Sequence, residues 1–182
     1  MIEAKLTNGT NEILLANRNG RAIRFNERTV RSMGRNAAGV RGIRLDDDDD
    51  KVVGMVCIDE SETDTTILVV SEKGNGKRSP LEEYRITNRG GKGVKTMNIN
   101  EKTGPLIGIK GVNDEDHLVI TNKSGLTIRM DISKIRVMGR ATQGVRLISL
   151  NQNDAIADIT VIKGGTEGDD DIEEALPMDE EE

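Results

Sequence analysis

One stretch of this sequence occurs in three copies, which read GRNAAGVR at residues 34–41, NRGGKGVK at residues 88–95 and GRATQGVR at residues 139–146. The last glycine of each copy gives the period, because Gly39, Gly93 and Gly144 are 54 and 51 residues apart. A repeat of about 50 residues is typical of architectures built from stacked supersecondary units.

A second glycine repeats at the same offsets, upstream of each copy. It follows a short apolar run and a turn, and it occurs at Gly20, Gly74 and Gly125. Two independent anchors with identical spacing make chance similarity improbable. The chain is therefore predicted to consist of three repeated units.

Each unit is predicted to be built of strands, because its apolar runs are rich in Ile, Val and Leu and are separated by glycine turns. Asn19-Gly20 predicts a two-residue hairpin, a turn that needs positive φ at both central positions. Helical periodicity is absent except for possible short turns near residues 26–32 and 132–137. We predict an all-β, propeller-like array of about three four-stranded blades.

The predicted boundaries place the repeats at residues 1–50, 51–104 and 105–163. Residues 164–182 carry ten acidic and no basic side chains, which predicts a disordered tail. Without the tail, the net charge changes from −6 to +4. The run of five aspartates at residues 46–50 is expected to form a solvated loop between units.

The composition excludes several classes of protein. A single cysteine, Cys57, cannot form an intramolecular disulfide, and no apolar run is long enough to span a membrane. We therefore expect a cytoplasmic protein with no membrane partner. Tyr84 lies beside two glutamates and His117 has no partners at metal-ligand spacing, so neither a nucleophile nor a metal site is predicted. We expect no catalysis and no cofactor in this chain.

Basic residues cluster at one place in every unit, around the repeated glycine stretch. Such a cationic band would neutralise phosphates and release counterions. The chain has no Trp and only two aromatic residues, which argues against single-strand binding by base stacking. Duplex DNA is the predicted ligand. The glycines are expected either to let the backbone approach a phosphate or to form β-turns.

The stretch at residues 30–45 closely resembles a blade of the C-terminal domain family of DNA gyrase A subunits, and residues 89–94 and 137–145 resemble the next two blades. The resemblance implies the last three blades of a six-bladed β-pinwheel that wraps duplex DNA around a basic perimeter. The family's Q-R-R-G-G-R-G box and its active-site tyrosine are missing from this sequence.

The resemblance also implies partners, which are the bacterial nucleoid, the gyrase B subunit, and the rest of the gyrase A subunit. In the parent type II topoisomerase, ATP and Mg²⁺ would act through other domains or subunits, and wrapping would direct negative supercoiling. We hypothesise that the acidic tail competes with DNA for the basic band. The residues expected to bind DNA come from all three repeats: Arg31, Arg35, Arg41, Arg89, Lys92, Lys95, Arg136, Arg140 and Arg146.

Two alternatives remain open from the sequence. The equivalent array of topoisomerase IV is similar in kind. A protein-binding propeller fragment would use its charges only for solubility, and it predicts basic side chains scattered over the whole surface.

Overall fold

The computed structural model describes residues 2–59, 61–62 and 64–164. The predicted acidic tail, and the hypothesis that it competes with DNA, lie outside these residues except for Gly164. The helices of the described part are three single 3₁₀ turns, at Glu27–Thr29, Leu81–Glu83 and Ile132–Lys134, so none of them could cross a bilayer.

The described chain forms eleven strands. In order they are β1 (Glu12–Asn17), β2 (Arg21–Asn26), β3 (Val52–Ile58), β4 (Thr66–Ser71), β5 (Asn75–Pro80), β6 (Val94–Lys95), β7 (Leu106–Val112), β8 (His117–Asn122), β9 (Thr127–Asp131), β10 (Val145–Arg146) and β11 (Ile156–Ile162).

These strands make three antiparallel sheets, which confirms the all-β, propeller-like prediction. Sheet 1 has the order β3-β1-β2-β6, sheet 2 has β10-β5-β4-β7 and sheet 3 has β11-β8-β9. Within the described residues the third sheet thus has three strands, where four were expected.

Sheets 1 and 2 cross the repeat boundaries that the sequence suggested, whereas the described strands of sheet 3 all lie within the third repeat. β3 begins just after the boundary at residue 50, yet it belongs to sheet 1 with the strands of the first repeat. In the same way, β7 begins just after the boundary at residue 104 and belongs to sheet 2 with strands of the second repeat. The short strands β6 and β10 come from the next repeat and complete the sheet of the repeat before. Residues 1–50, 51–104 and 105–163 therefore remain repeats of the sequence, whereas sheets 1 and 2 each contain strands from two neighbouring repeats.

The predicted two-residue hairpin at Asn19-Gly20 is wrong. Three residues separate β1 from β2, and Gly20 donates its N–H to the Asn17 carbonyl at 3.1 Å. Gly20 has φ +78°. Asn19 does not have the positive φ that the predicted turn needs, because Asn153 is the only non-glycine residue with positive φ in the described chain. A three-residue loop needs one left-handed residue at its end rather than two in its centre.

The core lies in layers between the sheets. Ile67, Leu68, Val69 and Val70 of β4 are all completely buried, because sheet 2 is covered by sheet 1 on one face and by sheet 3 on the other. A continuous apolar run is the pattern of a strand that is buried on both faces. By contrast, β8 alternates between buried and half-buried side chains, as an outer layer does.

Two arginines join sheets 1 and 2 to the repeat that follows, the half-buried Arg24 and the buried Arg78. Arg24 on β2 donates from Nη1 to the Leu81 and Tyr84 carbonyls at 3.0 and 3.1 Å. Arg78 takes the same position on β5, and its Nε donates to the Ile135 carbonyl at 2.9 Å. Both cations therefore stabilise the fold, because they supply hydrogen bonds to backbone that has no ladder partner there.

We expect Arg78→Ala to lower the free energy of unfolding by about 2–3 kcal/mol, since it leaves the Ile135 carbonyl without its charged donor. Urea denaturation measures this loss. Arg129→Ala is the matched control, because Arg129 holds the equivalent position on β9 but is exposed. That variant should change stability by no more than about 0.5 kcal/mol. Equal losses in both variants would contradict the role given to Arg78.

Lys77 is a lysine in the core. Its side chain is fully buried, and Nζ donates to Ser79 Oγ at 2.8 Å and to the Gly139 carbonyl at 3.0 Å. Ile23 and Ile128 take the equivalent strand positions in the other two sheets. Burial lowers the pKa of Lys77 to about 8, because the charged form loses its hydration.

The unfolded chain binds more protons at Lys77 than the folded chain between pH values of about 8 and about 10.4, so this residue makes stability rise with pH in that window. We expect Lys77→Ile to remove that rise. Urea unfolding at several pH values from about 7 to about 10.5 measures it in both proteins, a range that brackets the two pKa values. A variant with the same pH slope as the parent chain would show that Lys77 is not the source.

Candidate nucleic-acid interface

The three repeated glycine stretches fold as loops that we call the loop row: residues 34–44, 88–98 and 139–149. The loop row contains no carboxylate. It carries eight cations, distributed over all three loops: Arg35, Arg41, Arg44, Arg89, Lys92, Lys95, Arg140 and Arg146.

The first and second loops are in direct contact. Arg89 donates from Nη1 to the Arg41 carbonyl at 3.2 Å, and Gly90 N–H donates to the Gly42 carbonyl at 2.5 Å. In the opposite direction, Arg44 N–H donates to the Gly91 carbonyl at 2.8 Å. These contacts fix the two loops side by side.

The second and third loops repeat this arrangement one unit later. Arg140 Nη1 donates to the Lys95 carbonyl at 2.9 Å, and Asn98 N–H donates to the Thr142 carbonyl at 2.9 Å. The loop row is therefore one continuous surface, on the side of the sheets where β6 and β10 lie.

Glycine is required in the loop row for packing within the chain. Gly93 and Gly144 have φ values of +70° and +74°. A Cβ at Gly93 would lie 2.2 Å from the Ala22 carbonyl oxygen, and one at Gly144 would lie 2.7 Å from that of Gly76. These two glycines therefore allow close approach to the chain's own preceding strand.

Seven of the nine predicted DNA-binding residues lie in the loop row, whereas Arg31 and Arg136 precede its first and third loops. Two of them, Arg89 and Arg140, are half-buried because their guanidinium groups hold neighbouring backbone. The others are exposed: Arg31, Arg35, Arg41, Lys92, Lys95, Arg136 and Arg146. Arg89 and Arg140 thus have a structural role beside any contact with a ligand.

Sequence reasoning missed two exposed arginines. Arg85 is eight residues before Gly93, as Arg31 and Arg136 are eight residues before their own glycines. Arg44 is exposed in the first loop. The repeat offset would have identified Arg85, since it completes a second set of equivalent cations.

The aspartate run at residues 46–50 is only partly solvated, which corrects the prediction of a solvated loop. Asp50 is buried and accepts hydrogen bonds from Asn17 Nδ2 at 2.5 Å and from Asn19 N–H at 3.2 Å. Asp46 contacts Lys92 Nζ at 3.0 Å and Arg21 Nε at 3.1 Å. The hydrogen bond from Lys92 lowers the pKa of Asp46, so its negative charge stays beside the loop row at neutral pH.

The side chains rejected as catalytic lie in structural positions. Tyr84 is fully buried, and its hydroxyl is 2.5 Å from Thr96 Oγ1. Burial raises the pKa of Tyr84 and also that of Cys57 on β3, which leaves both groups protonated at neutral pH. Across residues 2–59, 61–62 and 64–164, no three His, Cys, Asp or Glu side chains come together at a possible metal site.

Comparison with known proteins identifies the family of these sheets. The family model described as DNA gyrase C-terminal domain, beta-propeller, matches residues 11–59, 65–113 and 116–163. The chain belongs to the DNA gyrase C-terminal domain family. Its three matches follow the three sheets, so the resemblance seen in the glycine stretches is confirmed over most of the chain.

Relatives with this domain are DNA gyrase A subunits. The chain is 44% identical over 169 residues to the DNA gyrase A subunit of Staphylococcus epidermidis, covering 93% of this chain and 18% of the relative. It is 39% identical over 175 residues to that of Staphylococcus aureus, covering 96% and 20%. The chain thus spans about a fifth of the length of these relatives.

Solved structures of the same architecture include the C-terminal domains of DNA topoisomerase IV and of DNA gyrase A. The topoisomerase IV domain superposes with a TM-score of 0.80 at 25% identity, over 87% of this chain and 49% of that one. The DNA gyrase A domain superposes with a TM-score of 0.74 at 25% identity, over 82% and 50%. This chain therefore corresponds to about half of each solved domain.

We expect Asp46→Asn to strengthen retention on a polyanion column, because the change frees Lys92 and Arg21 from their carboxylate. The salt concentration at elution from heparin measures the effect. Asp48→Asn is the control, since it makes the same change of charge at an exposed neighbouring residue of the run. If both variants elute at the same salt, Asp46 does not mask the loop row.

Proposed function

We propose that this chain is a DNA-binding and DNA-wrapping module of a bacterial gyrase A subunit. The observation that carries the proposal is the loop row, a continuous surface of three connected loops with eight cations and no carboxylate. The DNA backbone presents one phosphate charge per about 1.7 Å of duplex axis. A row of cations can therefore neutralise phosphates along a duplex of any sequence.

The loop row is suited to the backbone rather than to base edges. Its cations lie on short loops, whereas major-groove recognition uses a protruding helix or a two-stranded ribbon. The aromatic side chains of this chain, Phe25 and Tyr84, are both buried, so they cannot stack on unpaired bases. Binding should therefore be independent of sequence and should favour duplex over single-stranded DNA.

Wrapping follows if the duplex contacts all three loops at once. Bending 20–30 base pairs costs on the order of 1–6 kcal/mol, and many phosphate contacts along the loop row would offset that cost. In the parent enzyme, an ATP-dependent type II topoisomerase, the wrapped segment would be presented for strand passage that introduces negative supercoils. ATP and Mg²⁺ would act outside this chain, through the B subunit or through the remainder of the A subunit. The site of action would be the cytoplasm, on the nucleoid.

The equivalent module of topoisomerase IV is the second candidate function, and the TM-score of 0.80 with that domain favours it. The family model and the staphylococcal relatives favour gyrase. A supercoiling assay of the full-length parent enzyme separates the two, since a gyrase module is expected to introduce negative supercoils and their absence would favour the topoisomerase IV candidate.

The test of DNA binding is a salt titration with a short duplex. If about six phosphates are contacted, affinity should fall by about 10³-fold between 50 and 200 mM salt. Arg85→Ala and Arg136→Ala should each weaken binding to every sequence and reduce the slope of log affinity against log salt by about 1. These residues are exposed and take equivalent positions in two repeats.

Lys110→Ala is the matched control for these variants. Lys110 lies on β7, at the opposite edge of sheet 2 from β10 and the loop row. The same loss of one positive charge there should leave the salt slope unchanged. If the chain does not bind duplex at low salt, or if Lys110→Ala weakens binding as much as the arginine variants do, the protein-binding alternative would replace this proposal.

A further inference from the structure

Three segments of the chain meet at the turn between β4 and β5 and line a pocket of about 390 Å³. The loop at residues 100–104 contacts this turn, because Lys73 N–H donates to the Thr103 carbonyl at 3.0 Å. The third loop of the loop row contacts it as well, because Leu147 N–H donates to the Gly74 carbonyl at 2.8 Å. Backbone hydrogen bonds thus hold the walls of the pocket in place.

The loop that leads into β11 provides the rest of the lining. Ile156 N–H donates to the Glu72 carbonyl at 2.9 Å, so residues 150–154 lie beside the same turn. Asn151 and Asn153 of this loop both line the pocket. Their side-chain amides can donate hydrogen bonds to an anion.

Three exposed cations line the pocket, and each comes from a different segment. Lys73 lies in the turn, Lys102 in the 100–104 loop and Arg146 on β10. Among the described residues, the side chains of Lys102 and Arg146 make no hydrogen bond or ion pair. Lys73 Nζ donates to the Glu101 carbonyl at 2.5 Å, and its ammonium keeps two further donors. The pocket therefore contains cationic donors that the fold leaves available.

The carboxylates near these cations are bound to other groups. Asp154 is the only carboxylate in the lining, and it accepts hydrogen bonds from Asn122 Nδ2 at 2.6 Å and from Ser124 Oγ at 2.9 Å. Glu72 lies next to Lys73 in the turn, and its carboxylate contacts Lys123 Nζ at 3.5 Å. Three cations against one carboxylate leave the lining with a net charge of +2.

The same place one repeat earlier does not carry this positive charge. The equivalents of the three cations, counted back by the repeat offsets of 54, 54 and 51 residues, are Asn19, Asp48 and Lys95. The charges of that set sum to zero, whereas the three cations of the pocket sum to +3. The charge is therefore specific to the turn between β4 and β5 and is not a general feature of the repeat.

We infer that this pocket binds a free linear oligophosphate, such as tripolyphosphate. Guanidinium and ammonium groups form strong, charge-assisted hydrogen bonds with phosphate oxygens. Because the three cations come from three segments, they suit a chain of linked phosphates better than a single phosphate. A volume of about 390 Å³ is also within the usual range of small-ligand pockets, about 300–1,000 Å³.

Apolar residues in the lining strengthen this attraction. Ile148 is buried and Leu150 is half-buried, and both line the pocket beside the cations. Apolar side chains keep water away from part of the ligand, and charges attract each other more strongly where there is less water between them.

A DNA strand offers the same phosphate chemistry, and Arg146 belongs both to the pocket and to the loop row. Two observations favour a free ligand. Lys73 and Lys102 lie outside the loop row, and the pocket is bounded by three segments of the chain, whereas a duplex backbone follows an exposed surface. The inference does not depend on whether the loop row binds DNA.

The test is isothermal titration calorimetry of the full chain with tripolyphosphate, at low salt, where ion pairs are screened least. The expected result is one site per chain, with weaker binding of inorganic phosphate. Lys102→Ala and Arg146→Ala should each weaken tripolyphosphate binding by at least about fivefold, because each removes a charged donor. Neither side chain has a partner within the described part of the chain, so both variants should fold.

Lys95→Ala is the matched control. Lys95 is the equivalent of Arg146 on β6 and is also an exposed cation of the loop row, but it does not line the pocket. This variant should bind tripolyphosphate as the parent chain does. If it loses as much affinity as Arg146→Ala, tripolyphosphate binds the cations of the surface in general and the pocket is not its site. Absence of binding to the parent chain would overturn the inference as well.

Binding of a short duplex distinguishes a free ligand from a DNA strand. Lys102→Ala should lower duplex affinity no more than Lys110→Ala does, although only Lys102→Ala weakens tripolyphosphate binding. If Lys102→Ala instead weakens the duplex and leaves tripolyphosphate binding unchanged, the pocket holds strand phosphates and the inference is wrong. A chain that binds tripolyphosphate in the pocket but binds no duplex would contradict the DNA-binding proposal alone.

Discussion

The structure depends on one interaction, which is the transfer of a two-residue strand from the second and third repeats to the sheet of the repeat before. β6 and β10 are too short to be stable alone, but each is held by a glycine with positive φ that lets two backbones meet. Arg24 and Arg78 add hydrogen bonds to the same junctions. Because of this transfer, no sheet is complete within its own repeat, and stability depends on contacts between neighbours.

The same transfer builds the candidate interface. The residues that form β6 and β10 belong to loops that carry Lys95 and Arg146, so the two junctions place cations at the equivalent edges of sheets 1 and 2. Arg89 and Arg140 connect consecutive loops by holding backbone carbonyls. Fold stability and surface charge are thus coupled, and a substitution in the loop row can change both. Stability measurements are for that reason the necessary companion of every binding measurement.

Much of this protein could be predicted from the spacing of its glycines. The period indicated three units, and the apolar runs predicted most of the strands. The three-residue turn at Asn19-Gly20 could not be predicted, because its length depends on the pairing register of the two strands. The burial of Asp50 could not be predicted either, because it depends on a hydrogen bond from Asn17, which is distant in the sequence. Arg85 was within reach of the repeat offset and was missed.

The fold class, the number of repeats and the family all follow from the linear order of residues, because periodic glycines and β-branched runs are local properties that need no structure to be seen. The folded chain was required to show which sheet receives each strand and which cations are buried. Lys77 and Arg78 look like surface residues in the sequence, yet both are buried. The physical reason is that hydrogen bonds from a cation to backbone carbonyls form only after two repeats have packed against each other. The spacing of residues within one repeat therefore cannot reveal them.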